Sequence, residues 1–326
     1  MQNSVESKFL LMNDVLNLRR PERMPMGDYG FIEYKPDIYH LGSPEYAVKS
    51  GEVGISRNGK KRYTQDGGVW AVGDKDKYKS YEDVLNVNLD NFGVEEICPD
   101  MLSEMSRLYD AKAKSCFPVP MHYGTLITRA TIEFGWEPFL TAFAIDPKGF
   151  GQILNRLGQS SLAVIQGWAE IDEVRLIAIH DDIAGTRGVF IKPEWYREYV
   201  FPCYKSIFDA IHYKGKKVLY ISDGNYLEIL DDILKLNPDG LYVESTSMRP
   251  CELMSRSGKD KLYLIKTDSL NIDFGTPDDI FTEILELRDL HEDFPGMMIY
   301  MGGGKPRQGN AEAFNRYYNQ LLVYNL

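Results

Sequence analysis

From about residue 170 onward the sequence alternates short, almost uninterrupted apolar runs with amphipathic stretches, and this alternation restricts the chain to a parallel sheet covered by helices. The runs are VRLIAIH (Val174 to His180), KKVLYIS (Lys216 to Ser222), GLYVE (Gly240 to Glu244), KLYLIKT (Lys261 to Thr267) and MMIYMG (Met297 to Gly302). Strands so uniformly apolar are expected to be buried on both faces. Helical patterns fill the intervals. One begins at Pro193 and ends at Gly215, and another runs from Tyr226 to Leu236 and stops before Asn237-Pro238. A third opens with Thr276 as N-cap, then Pro277 and two aspartates that suit the positive end of the helix dipole. The last spans about Asn310 to Tyr324.

Two further strands are legible in the N-terminal half, MPMGDYG (Met24 to Gly30) and FPVPMHYG (Phe117 to Gly124), each ending in a polar, glycine-bearing loop. About seven strands are thus evident. A barrel of eight parallel strands, with one strand not evident in the pattern, is more economical than an open sheet, and 326 residues suit that fold with insertions. The expected architecture is a (β/α)8 TIM barrel, a single domain over residues 1–326. The stretch from Ser50 to Asp74, with Asn58-Gly59 and Gly67-Gly68, reads as a hairpin excursion from it.

Composition narrows the partners. With 37 Lys+Arg against 48 Asp+Glu the net charge is −11, and no Lys/Arg-rich block interrupts the negative field, so nucleic acid and anionic membranes are not expected partners. No window approaches the roughly 20 apolar residues of a membrane span, and the first 25 residues lack a signal-peptide core, so the expected location is cytoplasmic. Cys98, Cys116, Cys203 and Cys251 are far apart and form no C-x-x-C pair, which argues against a disulfide scaffold and a sequence-local zinc site.

In a barrel of this kind the ligand is held at the C-terminal ends of the strands. The sequence places polar clusters there: Asp28-Tyr29, His122-Tyr123, His180-Asp181-Asp182, Ser222-Asp223-Gly224-Asn225, Glu244-Ser245-Thr246, Lys266-Thr267-Asp268 and Gly302-Gly303-Gly304-Lys305. An aspartate after a strand serves as often to cap the next helix, and that reading stays open for Asp223 and Asp268. Asp182 is the strongest single candidate because it follows an apolar strand and precedes the turn Ile183-Ala184-Gly185. The glycines of GMMIYMGGGKPRQG match neither a Walker loop nor a dinucleotide fingerprint, and are expected to let a ligand approach the backbone.

The run DDIAGTRGVFIKPEWYREYVFPCYKSIFDAIHYKGKKVLYISDGN, from Asp181 to Asn225, resembles the central block of the uroporphyrinogen decarboxylase superfamily, which includes cobamide-dependent methyltransferases. NLRRPERMPMG, from Asn17 to Gly27, resembles its opening segment. The resemblance implies a (β/α)8 barrel with one deep site at its C-terminal face, acting on a tetrapyrrole or on methyl groups carried by one. Departures from the pattern discriminate among members. The decarboxylase meets its polycarboxylate substrate with arginines soon after the first strand and a histidine near the end. Here GDYGFIEYKPDIYHLG (Gly27 to Gly42) has no arginine and MGGGKPRQG no histidine, which disfavours decarboxylation.

The superfamily's zinc methyltransferases hold a thiol acceptor as thiolate with a His-x-Cys pair before the SDGN turn and a later cysteine. The corresponding positions are Ile221 and Asp223, so no metal is expected. A thiol needs zinc or a low-pKa environment to ionise near neutrality, whereas a reduced-pterin amine has its lone pair already available. The resemblance therefore implies methyl transfer from a methylcobamide, carried by a separate corrinoid protein, to tetrahydrofolate. A carboxylate can accept two donors from the pterin side by side. Asp223, Asp182 and Glu244 are candidates for this; Asn225 and Ser222 would position other ring atoms, and His122, Tyr29 and Tyr123 would line the corrin's approach. Asp28, Asp181, Lys266 and Asp268 complete the expected substrate contacts, and Lys305 or Arg307 would meet the glutamate tail. Catalytic roles are assigned to Asp223, Asn225 and Asp182, and a homodimer is expected. Two alternatives stand beside this reading: a first-step enzyme that demethylates a small substrate onto the corrinoid protein, and a non-catalytic corrinoid- or folate-binding protein.

Overall fold

A computed structural model describes residues 4–27, 36–43, 77–90, 92 and 97–323, together with the backbone of residues 53–55, 61–65 and 68–72. Eight parallel strands close a barrel: β1 (Met26–Gly27), β2 (Ile38–Gly42), β3 (Phe117–Tyr123), β4 (Leu176–His180), β5 (Lys217–Ile221), β6 (Gly240–Glu244), β7 (Leu262–Lys266) and β8 (Met297–Tyr300). Each strand pairs with its neighbours in sequence, and β1 pairs with β8 to close the ring. The expected (β/α)8 architecture is the observed one. Its eighth strand is β2, whose five residues, IYHLG, carry a histidine and end in glycine, so they present no apolar run. The excursion between β2 and β3 holds three antiparallel strands, Val53–Ile55, Lys61–Gln65 and Gly68–Val72, one more than a simple hairpin.

The period of two along each strand divides the core into two layers. Ile38, Phe117, Val119, Leu176, Ala178, Leu219, Ile221, Leu264 and Met298 fill the barrel, where Met12, Val15 and Leu16 of the helix Val5–Leu16 join them. Their neighbours Ile177, Ile179, Val218, Tyr220, Val243 and Ile265 pack outward against the covering helices. Each such buried aliphatic side chain contributes roughly 1.5–3 kcal/mol.

The opening segment earns its place structurally. Arg23 and Asp37 form a buried two-point ion pair, Nη2 to Oδ1 at 2.6 Å, and the Met26 N–H donates to Asp37 Oδ2 at 3.0 Å. Tyr318 of the last helix, Asn310–Leu321, accepts from Arg23 (3.1 Å) and donates to the Met24 carbonyl (2.7 Å), so this network fastens the barrel's closing seam.

The helix expected over Pro193 to Gly215 is interrupted. It runs as Pro193–Trp195, a π turn Tyr196–Val200, and Phe201–Tyr213. Pro202 has no N–H to give the carbonyl four residues before it, and a widened turn accommodates the loss. In that turn the Tyr196 hydroxyl reaches the Ile183 carbonyl at 2.6 Å, buttressing the loop after β4. Thr276 caps Pro277–Asp293 in a capping box with Asp279, as its sequence predicts. Among the described residues no helix is long and apolar enough to cross a membrane.

Candidate active site at the C-terminal ends of the strands

Above the apolar filling, the inward positions turn polar: His40 on β2, Tyr123 on β3, His180 on β4, Glu244 on β6, Lys266 on β7 and Tyr300 on β8. Register aligns Tyr123 with His180, and Glu244 with Lys266 and then Tyr300. Asp182 and Asp223 continue the inward parity one step beyond β4 and β5. The Tyr123 and His180 rings meet edge to face at 4.7 Å, and Tyr300 Oη lies 2.9 Å from a His40 ring nitrogen. The Tyr300 ring also covers Gly27, where a Cβ would fall 1.7 Å from Tyr300 Cε1; hence β1 ends in a glycine.

His180 Nε2 and Asp182 Oδ1 are 3.0 Å apart, with the imidazole 8% and the carboxylate 25% exposed. The same Asp182 oxygen accepts the Asp223 N–H at 3.1 Å. Burial opposes the charge on both groups of this pair, yet their mutual attraction prevails: His180 titrates above the ordinary histidine range and Asp182 below the ordinary aspartate range. His40, buried and facing the positive His180, is pushed down to about 3 and is neutral. Glu244 accepts from Lys266 Nζ (3.0 Å), the Gly224 N–H (2.9 Å) and the Ser247 hydroxyl (3.1 Å), and these offset its burial and hold its pKa down.

Asp223 differs from its neighbours. No donor among the described residues reaches its carboxylate, and burial, with repulsion from Asp182 and Glu244, raises its pKa against the pull of His180 and Lys266. The site thus offers one ionisable acceptor with its hydrogen-bonding capacity unspent.

Five of the residues singled out in the sequence come together here: Tyr123, Asp182, Asp223, Glu244 and Lys266. Others lie elsewhere. His122, Asp181 and Ser222 have the opposite parity and face the helical layer, which corrects their expected place in the opening. His122 Nε2 lies 3.0 Å from Ser161 Oγ. Asp181 accepts the N–H groups of Leu126, Ile127 and Thr128 at 2.8–3.0 Å and the Tyr204 hydroxyl, so it anchors the start of the helix Ile127–Phe134. Ser222 accepts from the Ile183 N–H and donates to the Asp223 carbonyl. Asn225 Oδ1 accepts the Leu227 N–H, shaping the turn after β5.

Asp268 caps the short helix Ser269–Asp273, the alternative its position left open. Lys305 and Arg307 sit on the exposed loop after β8, Arg307 donating to the Gly275 carbonyl at 3.3 Å. Asp28 and Tyr29 fall outside the described residues. The glycines after β8 do not leave their backbone open to a ligand. The N–H groups of Gly302, Gly303, Gly304 and Lys305 donate to Thr267, Ser269 and Asp273, and a Cβ on Gly302 would fall 2.1 Å from the Thr267 carbonyl oxygen. Gly302 and Gly303 admit the neighbouring segment, a Cβ on Gly303 falling 2.5 Å from Asp273 Oδ1.

His180 received no individual role from the sequence, and His40 and Tyr300 were not singled out. Counting two residues back from Asp182 marks His180 in the sequence, whereas His40 lies on a strand without an apolar run and Tyr300 is placed by its register with Lys266.

The thiolate zinc set does not fit. Ile221 is 1% exposed within the apolar filling, Cys116 precedes β3 at the opposite end of the barrel, and Cys98, Cys203 and Cys251 belong to the outer helices or their caps. Ligand-capable atoms of His180, Asp182 and Asp223 do lie within 4.8 Å of one another. Of these, His180 Nε2 and Asp182 Oδ1 already pair with each other, while His180 Nδ1 is buried without a hydrogen-bond partner among the described residues.

Fold and site together define a TIM-barrel protein with one polar, carboxylate-lined mouth. Residues 120–293, more than half of the chain, match the model of the uroporphyrinogen decarboxylase (URO-D) family, and the chain belongs to that family. Among solved structures it is similar to a methyltransferase from Methanosarcina mazei, with a TM-score of 0.64 and 14% identity over 98% of this chain and 99% of that one. It also aligns with a B12-independent methionine synthase from a Shewanella species, at a TM-score of 0.41 and 13% identity over 69% of this chain and 65% of that one. The first likeness concerns the fold, and the second is too distant to carry an argument. No curated protein matched the sequence.

Proposed function

We propose that this protein transfers a methyl group from a methylated corrinoid, carried by a separate protein, to tetrahydrofolate, without zinc. The observation that carries the reading is the Asp223 carboxylate, inward-facing at the mouth and reached by no donor of the described residues, beside Asp182, which accepts at Oδ1, and Glu244, which accepts at both oxygens. A pterin brings an adjacent ring N–H and amine N–H, the pair of donors that such a carboxylate lacks. The Methanosarcina fold likeness and the family are in keeping with methyl transfer, and the absence of a thiolate ligand set is in keeping with an amine acceptor.

The methylated corrinoid would supply a cobalt-bound methyl group, which the acceptor nitrogen would take with its lone pair while the cobalt keeps the electrons of the broken bond and the methylated nitrogen gives up its proton to solvent. The chain's own task is then positioning: holding the nitrogen about 3–3.5 Å from the methyl carbon and excluding water. Asp223 would hold the pterin, Tyr123 and Tyr300 would wall the mouth, and Lys305 or Arg307 at the rim would meet the glutamate tail. Following the methyl–cobalt absorbance of methylcobalamin tests the proposal: its loss should require both the protein and tetrahydrofolate.

One observation favours the first-step reading as a second possibility. His180, whose charge the Asp182 carboxylate at 3.0 Å sustains, stands at the mouth, and a proton-bearing group there would assist departure of a demethylated oxygen or nitrogen. In that case methyl transfer would run from a small methylated substrate onto cob(I)alamin, with no dependence on folate.

A further inference from the structure

The turn Ser222-Asp223-Gly224-Asn225 is tied at three successive amides. The Asp223 N–H donates to Asp182, the Gly224 N–H to Glu244 and the Asn225 N–H to the Gly185 carbonyl (2.9 Å). Each of the two carboxylates is itself held by a cationic side chain: Asp182 by His180 from β4, and Glu244 by Lys266 from β7. The underside is as constrained as the top, because Gly224 has φ +79° and a Cβ there would come within 2.3 Å of the Ala184 carbonyl oxygen.

We propose that Glu244 and Lys266 are positioning residues: they clamp Gly224 so that the Asp223 carboxylate stays aimed into the mouth, and they do not themselves contact the ligand. Both of the Glu244 oxygens are occupied, one by Lys266 and one by Gly224 and Ser247, which leaves little capacity for a further donor. Lys266 stands across from Glu244 in the β6–β7 register, so the ion pair also fixes the two strand ends relative to the turn. The role of Asp223 as ligand anchor rests on the folate reading; the clamp itself does not.

Amide hydrogen exchange at Gly224 by nuclear magnetic resonance, on the full chain without ligand, tests the clamp. Glu244→Ala should speed that exchange about tenfold or more, the scale of one lost charge-assisted hydrogen bond. Glu244→Gln keeps one acceptor oxygen for Gly224 but turns a donor toward Lys266, so its exchange should fall between wild type and the alanine variant. Glu244→Asp keeps the charge but is one methylene too short and should resemble the alanine variant, which covers the case in which Glu244→Ala does not fold. Gly224 exchange unchanged in both Glu244→Ala and Glu244→Asp would overturn the clamp.

Tetrahydrofolate affinity is measured alongside. Affinity that falls in step with Gly224 exchange across the variants supports positioning, whereas affinity lost in a variant whose Gly224 exchange stays near wild type means that Glu244 contacts the ligand, and the proposal fails. Should wild type bind no folate while Gly224 exchange still follows the predicted order, the folate reading falls and the clamp stands.

Discussion

At the scale of single residues, Asp223 bears the most weight. Replacing it by asparagine turns one acceptor oxygen into a donor that faces a donor, which should cost roughly 2–4 kcal/mol of tetrahydrofolate binding. Calorimetry on Asp223→Asn, with folding verified by its thermal transition, reads this directly; affinity within about twofold of wild type, where 1.4 kcal/mol is tenfold, would remove Asp223 from the site. Its pH dependence has a definite sign. The anchor works when ionised, so binding is full above the Asp223 pKa and is lost as pH falls through it. Burial and the charges of Asp182 and Glu244 raise that pKa, so the loss should begin at a higher pH than an ordinary aspartate would give, and this acid limb should vanish in Asp223→Asn. A limb that persists in the variant would assign it to another group.

At the scale of elements, seven of the eight strands are legible as apolar runs because both of their faces are buried, which leaves an unmistakable composition. β2 is not legible: its inward residues near the mouth are His40 and Gly42, so a polar ring and a glycine stand where an apolar run would show. The same period of two that hides β2 explains which site residues the sequence misassigns. Asp181 and Asp182 are adjacent in sequence but face opposite layers, and likewise Ser222 and Asp223; composition alone cannot separate them, whereas parity does. The loop after β8 is illegible for another reason: Gly302 and Gly303 admit Thr267 and Asp273, and no local pattern announces a tertiary contact. Where elements meet, the Arg23–Asp37 pair is the most exposed to test. Asp37→Asn leaves a buried guanidinium without its counter-charge and should lower stability by about 3–5 kcal/mol in thermal or denaturant unfolding. A change under about 1 kcal/mol, the range of surface pairs, would mean that the seam is held by packing alone.

At the scale of the whole molecule, this URO-D family barrel has a polar mouth at its strand ends in which Ile221 and the four cysteines offer no metal-binding thiolate set. Methyl transfer by positioning should therefore survive exhaustive chelation with its rate unchanged. A rate that chelation abolishes and a divalent cation restores would instead mean that His180, Asp182 and Asp223 close on an ion, since their atoms lie near enough to do so. The net charge of −11 makes a polyanionic partner unfavourable, and a corrinoid-carrying protein would have to approach the strand ends. The central claim is the direction and acceptor of the methyl group. The most direct measurement is the methyl–cobalt absorbance of methylcobalamin mixed with the metal-free protein, with and without tetrahydrofolate. The account predicts that the absorbance falls only when protein and tetrahydrofolate are both present, and more slowly with Asp223→Asn. Absorbance that is stable with tetrahydrofolate but falls with a thiol, or a methyl–cobalt signal that appears when cob(I)alamin is offered a small methylated substrate, would contradict it.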